Sequence, residues 1–368
     1  MNPIKIIPAI IAVIVIGISI SYFSFESNVT DIQNNNNLEE LGSLEESVNN
    51  KLIETTIIDE FGQESKLIIR LTDKIIKSEN DGSYSVIEAF VRDESGDASK
   101  IYLHMTGDLD DKQIKYIEIL NDAIFRQLFN PNDLINYQGT LVPSKATFEL
   151  KDDMGQRLDQ ITVSDADTSL VIIPTFTASA YSEPGFYTFY LGQCDGEFHG
   201  MLFRDEDCLT VEIISDDNLD YNSSGNAVQI LDLLNYDMIT DLELHHNPNI
   251  LTTYDKIILL HNEYVSNVMF NAITSHENGI FLYPNALYAE VDVNVIDNTI
   301  TLVRGHNYPD ITIRNGFDWQ YDNTHPYEYD NECKNWEFYS IPNGHMLNCF
   351  PENIIWTDEL LLKALKDL

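Results

Sequence analysis

The feature that most constrains the fold is a short apolar run at residues 256–260, KIILL, which ends abruptly in the segment HNEY at 261–264. A short apolar run with polar boundaries is typical of a strand buried on both faces of a parallel sheet. Ligands collect at the carboxyl ends of such strands, where side chains face a crevice. We therefore expect His261 and Glu263 to belong to a functional site.

A second apolar run, at residues 6–23, is long enough to cross a bilayer as a helix. Lys5 and the amino terminus are the only positive charges before it and acidic sequence follows, which predicts an outward-facing main body. A cleaved signal peptide is the alternative, although no small-x-small site follows cleanly. We expect a signal anchor at residues 1–23, single-pass attachment to the cell membrane, and a flexible acidic linker at 24–50.

The four cysteines form two local pairs in the sequence, Cys194 with Cys208 and Cys333 with Cys349. An even number of cysteines in an exported chain predicts disulfides, and each would contribute about 3 kcal/mol. Zinc binding is the alternative, but the chain has no C-x-x-C pair. The cysteines therefore favour an oxidising compartment.

The chain carries 21 basic and 60 acidic residues, a formal net charge of −39. The electrostatic field of such a negative charge repels nucleic acid and anionic membrane surfaces, so we expect no nucleic-acid partner. A solvated acidic surface that keeps an exported protein soluble is the simpler interpretation. Capture of cations by clustered carboxylates is the other.

Residues 51–193 are rich in predicted strands, and short alternating runs indicate a β-sandwich of the immunoglobulin type. One helix is predicted at residues 112–129, where Ile114, Ile117, Leu120, Ile124 and Leu128 lie on one stripe. A closing strand is expected at 184–191. The other runs lie at 67–71, 84–91, 101–105, 146–150 and 161–163.

Residues 194–368 have a different pattern, in which predicted strands alternate with predicted helices. This pattern indicates an α/β domain with a parallel sheet, so the fold class is α+β overall. We expect a hairpin at 288–295 and 299–303 on the edge of that sheet, and a capped helix at 358–368. The remaining strands are predicted at 209–214, 238–244, 256–260 and 280–283, and the remaining helices at 227–234 and 268–274.

Residues 208–330 contain six short motifs in a fixed order. This ordered set resembles the C-terminal domain of the large subunit of N,N-dimethylformamidase and its relatives. The resemblance covers about a third of the sequence and implies a class I glutamine-amidotransferase-like α/β fold of the flavodoxin-like type. The motifs are YNSSG at 221–225, TDLEL at 240–244, YD at 254–255, HNEYVS at 261–266, NALY at 285–288 and GFDW at 316–319.

The resemblance also implies iron, held in that family by two tyrosines and a glutamate, which activates water to attack an amide. By motif position, Tyr221 and Tyr264 are similar to the tyrosine ligands, and Asp318, with Asp322 second, replaces the glutamate. His261 and Glu263 would then orient or deprotonate the water. The chain departs from the pattern at Val265, where the family has tryptophan, and at Leu260, where glycine is common.

Each of these residues also has an ordinary structural explanation. Tyr264 fits a packing residue, Tyr221 a loop tyrosine, and Glu263 a helix cap or a partner of His261. His306 either lines the same crevice or lies on a surface loop.

Two functions therefore stay open on sequence grounds. The first is metal-assisted hydrolysis of an amide or another small C–N compound. The second is non-catalytic binding of a glycan, peptide or envelope component at the cell surface. A cysteine nucleophile of the glutamine-amidotransferase type is excluded, because His261 stands directly after the central strand.

Overall fold

The computed structural model describes residues 52–59, 64–78, 84–92, 98–106, 113–130, 134–137, 140–143, 145–152, 154–164, 168–194, 196–198, 201–203, 208–215 and 219–368. The chain divides into two compact units, the first ending at Asp152 and the second spanning Asp153–Leu368. The boundary expected from the sequence lay at residues 193 and 194. Residues after Asp152 belong to the second unit because the strand Ser169–Ile173 lies in its parallel sheet.

The described strands of the first unit form one continuous sheet. They are β1 (Leu52–Asp59), β2 (Glu64–Ser78), β3 (Tyr84–Arg92), β4 (Ala98–Thr106), β5 (Gln113–Ile119), β6 (Phe125–Phe129), β7 (Leu134–Tyr137), β8 (Thr140–Pro143) and β9 (Thr147–Leu150). Their order is β8-β7-β1-β2-β3-β4-β5-β6-β9, and only β1 and β7 pair in parallel. The predicted immunoglobulin-like sandwich is therefore wrong. Alternation identified most of the strands, but their sequential antiparallel pairing joined them in one sheet.

The helix predicted at residues 112–129 is also wrong, because this segment forms β5, a turn and β6. In the turn, Asn121 Oδ1 accepts a hydrogen bond from the Ala123 amide at 3.0 Å. Ile117 pairs with Phe129 across the two strands. The helical spacing of apolar residues was produced by two strands on either side of a turn, and cross-strand packing decided the conformation.

The second unit contains three described sheets. Its strands are β10 (Ser169–Ile173), β11 (Gly196–Phe198), β12 (Met201–Phe203), β13 (Thr210–Glu212), β14 (Asp237–Thr240), β15 (Lys256–Leu259), β16 (Tyr264–Val265), β17 (Gly279–Phe281), β18 (Ala289–Asn294), β19 (Thr299–Arg304), β20 (Phe338–Ile341) and β21 (Gly344–Leu347). The largest sheet has the order β14-β10-β15-β17-β21-β20 and is parallel except at β20. Every residue of β10 and β15 is buried, as expected for strands covered on both faces.

The predicted hairpin of β18 and β19 is present, but it does not lie on the edge of the parallel sheet. It belongs to a separate four-stranded sheet with the order β13-β19-β18-β16. In that sheet β16 pairs with β18, which joins the segment after β15 to the hairpin. The segment predicted as the first strand of the parallel sheet is β13, and it pairs with β19 instead.

Helices cover the strands of the second unit. They are α1 (Gly155–Asp159), α2 (Thr175–Ala180), α3 (Phe186–Tyr190), α4 (Gly225–Leu233), α5 (Asp241–His246), α6 (Asn267–Ser275), α7 (Thr324–Tyr327) and α8 (Glu359–Asp367). The closing strand predicted at 184–191 is wrong, since α3 occupies it. The strand predicted at 238–244 ends at Thr240, whose side chain caps α5 by accepting from the Glu243 amide.

No helix in the described part of the chain is long and apolar enough to cross a membrane. The longest, such as α4 and α6, have nine residues each and span roughly 14 Å, against about 30 Å of bilayer hydrocarbon. The prediction of a fold with a transmembrane helix is therefore wrong for these residues. The predicted anchor at 1–23 and linker at 24–50 lie outside the described ranges.

Both predicted disulfides are present. Cys194 is bonded to Cys208 and Cys333 to Cys349, with Cα–Cα distances of 6.1 Å and 5.4 Å. Both bonds lie within the second unit.

Candidate functional site

The segment after β15 is held in a tight turn by its own polar groups. Asn262 Oδ1 accepts from the Leu260 amide at 2.9 Å, and the Glu263 amide donates to the carbonyl oxygen of His261 at 2.9 Å. The buried carboxylate of Asp241, at the start of α5, anchors this turn. It accepts from Asn262 Nδ2 and from the Phe176 amide of α2, both at 2.8 Å.

The Glu263 carboxylate lies at the centre of the site and has no solvent-exposed surface. Its Oε2 accepts a hydrogen bond from the Tyr181 hydroxyl at 3.1 Å, and its Oε1 pairs with His306 Nε2. Burial by itself would raise the pKa of Glu263, but the His306 imidazole and these hydrogen bonds outweigh burial and hold the pKa below its ordinary value. The site therefore contains a buried carboxylate that stays ionised.

His261 presents an unshared nitrogen to that carboxylate. Its Nδ1 lies 2.5 Å from the carbonyl oxygen of Asn222. Because a carbonyl oxygen only accepts, Nδ1 carries the proton and Nε2 holds a lone pair. His261 Nε2 is buried without a hydrogen-bond partner and lies 3.8 Å from Glu263 Oε2. Burial lowers the pKa of His261 despite the neighbouring charge of Glu263, so the neutral imidazole is favoured.

Four tyrosines surround the two groups. The Tyr187 hydroxyl donates to the Tyr181 hydroxyl at 2.7 Å, and the hydroxyls of Tyr190 and Tyr264 lie 3.2 Å apart. Burial raises the pKa of each phenol, and the charge of Glu263 adds to this effect. All four therefore remain neutral phenols. Tyr187 and Tyr190 lie one turn apart on α3, the segment predicted as a strand.

His306 reaches the site from the loop after β19. Gly305 has a φ of +125°, and a Cβ there would lie 2.8 Å from the Ala289 backbone, so only glycine permits this approach. The imidazole stacks on the ring of Tyr190 with a centroid distance of 4.9 Å. Its side chain is 22% exposed, in contrast to Glu263 beneath it. His306 thus lies on a loop, partly exposed, and contacts the Glu263 carboxylate.

The three predicted metal ligands are not brought together. Asp318 has a side chain that is 78% exposed and pairs with Arg304 at 2.8 Å, whereas the Tyr264 hydroxyl is buried beside Tyr190. Tyr221 stacks on Phe350 with a centroid distance of 5.7 Å. Asp322, the second candidate, accepts from both the amide and the hydroxyl of Thr324.

This arrangement does not fit the iron site implied by the resemblance, because the carboxylate lies in solvent while one phenol is enclosed. The described residues also contain no group of three or more His, Cys, Asp or Glu side chains that could hold a metal ion.

One surface pocket lies elsewhere in the described part of the second unit. It has a volume of about 570 Å³ and includes Trp336 and Asp358 in its lining, but none of the predicted site residues. Trp336 Nε1 donates to Asp358 Oδ2 at 2.7 Å, so these polar groups already satisfy each other. The predicted site residues therefore lie outside this pocket.

No family model and no curated protein matches this chain. The resemblance to the N,N-dimethylformamidase domain accordingly stays a prediction, and the function is argued from the site itself.

Proposed function

We propose that the second unit is a hydrolase that acts on an amide or another small C–N compound. The observation that carries the proposal is the pairing of an ionised, fully buried Glu263 with a neutral His261 whose Nε2 has no hydrogen-bond partner, 3.8 Å away. A neutral imidazole with a free lone pair can accept a proton, and a nearby negative charge stabilises the imidazolium that forms.

In this mechanism His261 Nε2 takes a proton from a water molecule as the water oxygen bonds to the carbonyl carbon. The Glu263 carboxylate stabilises the imidazolium that forms. The C–N bond then breaks, and the same proton passes from Nε2 to the departing nitrogen, so that one water is consumed and an acid and an amine leave. His306 and Tyr181 hold the carboxylate in place through their hydrogen bonds.

No step of this mechanism is routed through iron. Tyr221 stacks on Phe350, the Tyr264 hydroxyl lies beside Tyr190, and Asp318 pairs with Arg304, so the mechanism does not rely on these three groups acting together.

The two disulfides support a location of the main body outside the cytoplasm, because such bonds persist in oxidising compartments. An exported hydrolase would meet small amides or envelope components as substrates. The acidic surface, with its formal charge of −39, would keep nucleic acid away.

One observation favours a second candidate, the non-catalytic binding protein. Glu263 and Tyr264 have no exposed surface and His261 only 3%, so a substrate reaches them only if neighbouring residues move. A protein that binds its partner at the partly exposed His306 would need no such movement.

The test uses the full chain and a panel of primary, secondary and tertiary amides, with release of ammonia or amine as the readout. Glu263→Gln and His261→Gln should each abolish turnover. Glu118→Gln is the matched control, because Glu118 is also buried beside a histidine, with His104 Nε2 2.6 Å away, but lies in the first unit. Absence of turnover with every amide, in folded wild-type protein, would leave the binding protein as the function.

A further inference from the structure

A second carboxylate lies close enough to Glu263 to interact with it electrostatically. Glu328 has a side chain that is 12% exposed, and its Oε1 lies 2.9 Å from His325 Nδ1. Burial raises the pKa of Glu328; His325 acts to lower this pKa, and the negative charge of Glu263 acts to raise it. No lysine or arginine in the described ranges lies within ion-pair distance of either carboxylate. The basic side chains that pair with these two carboxylates in the described ranges are therefore histidines.

Two buried acceptors near these carboxylates lack a hydrogen-bond partner. One is His261 Nε2, 3.8 Å from Glu263 Oε2. The other is Asn285 Oδ1, on a side chain whose Nδ2 donates to Glu328 Oε2 at 3.4 Å. A buried acceptor without a donor costs about 1–3 kcal/mol. A ligand that brings N–H donors would remove this cost.

Aromatic rings lie beside His261 and His306. The ring centroids of Tyr181 and Tyr283 lie 6.2 Å and 6.3 Å from that of His261, and Tyr288 meets His306 edge-on at 4.7 Å. Because these phenols stay neutral, their faces carry the negative end of the ring quadrupole. Rings arranged around an anionic group are the usual recognition element for organic ammonium ions.

We propose that Glu263, Glu328 and the unshared acceptor of His261 bind a small protonated amine, enclosed by the surrounding tyrosines. The inference deepens the proposed hydrolase function and rests on it for one point, namely that this nitrogen is the amine end of the C–N substrate or the departing product. A protonated amine supplies N–H donors for the two unpartnered acceptors and a positive charge beside the two carboxylates. A neutral alcohol of the same size supplies no charge.

The test is a titration of the full chain with methylammonium chloride, followed by NMR of the histidine and tyrosine side chains. For a ligand of two heavy atoms, a Kd on the order of 10 mM is the tightest expected. The NMR chemical shifts of the His261 and His306 side chains should change on addition of methylammonium. Methanol and potassium chloride at the same concentrations should produce no comparable shifts, since one lacks the charge and the other lacks N–H donors.

Glu263→Gln should weaken methylammonium binding by roughly tenfold or more, because it removes a charge-assisted hydrogen bond. Tyr181→Phe keeps the Glu263 carboxylate and the aromatic ring and removes only the hydroxyl, so it should weaken binding only a few-fold. It serves as a control for a folding defect in the first variant. Glu118→Gln should bind as the wild type does. Thermal unfolding of each variant checks that the fold is intact.

The outcomes separate this inference from the hydrolase proposal. Amide turnover without methylammonium binding overturns the amine site and leaves the hydrolase. Methylammonium binding that requires Glu263, in a protein without turnover, supports the amine site and overturns the hydrolase. Equal shifts with methanol or potassium would overturn the selectivity on which the inference depends.

Discussion

His261 Nε2 lies 3.8 Å from Glu263 Oε2, although the two side chains belong to residues separated by a single position. On a regular strand, residues two apart face the same side at a larger spacing. The tight turn held by Asn262 and Asp241 brings these two polar groups together inside the protein.

Tyr181→Phe should raise the pKa of Glu263. The variant removes a 3.1 Å hydrogen bond to the ionised carboxylate, and such bonds contribute about 1.5–3 kcal/mol, equivalent to roughly 1–2 pKa units. The measurement is a carboxyl titration by NMR with labelled glutamate. Tyr190→Phe is the matched control, since the Tyr190 hydroxyl contacts Tyr264 and not Glu263. An unchanged titration in Tyr181→Phe would contradict the assigned hydrogen bond.

Asp241→Asn should destabilise the second unit by about 2–3 kcal/mol. Both partners of Asp241 are N–H donors, so the new amide nitrogen faces a donor and leaves it unsatisfied in a buried site. Urea unfolding, followed by tryptophan fluorescence, measures the change. Asp292→Asn, at an exposed position of β18, should have little effect. Equal stability of the two variants would rule out the anchoring role.

Stability of the second unit should fall as pH rises from about 4.5 to 8. Burial raises the pKa of Glu352 to about 8, although Tyr283 and the Asn226 amide donate to the carboxylate. A carboxyl with a raised pKa contributes stability below its unfolded pKa and loses it as pH rises through the folded value. Glu352→Gln should flatten this dependence in urea unfolding between pH 4.5 and 8. Asp241, with a pKa raised to about 7, leaves a smaller slope of the same sign.

Removal of either disulfide by a paired Cys→Ser change should cost about 3 kcal/mol. The loops closed by Cys194–Cys208 and Cys333–Cys349 span 14 and 16 residues, and loops of this size give a stabilisation of that order. Unfolding with and without reductant measures the cost in the wild type, and each serine variant, which keeps one disulfide, should respond to reductant less than the wild type does. A wild-type midpoint that reductant does not move would contradict the prediction.

Asp318→Ala should leave amide turnover and stability nearly unchanged. The Asp318 carboxylate is mostly exposed and pairs only with Arg304 among the described residues, and exposed ion pairs contribute little. Kinetic assays beside Glu263→Gln check this expectation. A large loss of turnover in Asp318→Ala would restore the ligand role that the sequence motif predicted.

Local sequence patterns correctly predicted the elements in which the spacing of apolar residues matches a single type of secondary structure. The apolar run that forms β15, the hairpin of β18 and β19, and α6 were all correct in type. The predictions for the segments that form β5, β6 and α3 were wrong. The apolar and aromatic residues of these segments fit both the helical and the strand period, and contacts with residues distant in sequence determined the conformation.

The sequence by itself determined that buried parallel strands end in polar residues, that four cysteines pair, and that His261 and Glu263 directly follow a buried strand. These properties follow from hydrophobic period and local spacing. Only the tertiary structure decided the rest of the site, because Tyr181 and His306 lie 82 and 43 residues away from Glu263 in the sequence. It also placed Asp318 in solvent, since the loop that carries it pairs with Arg304 and not with the buried carboxylate.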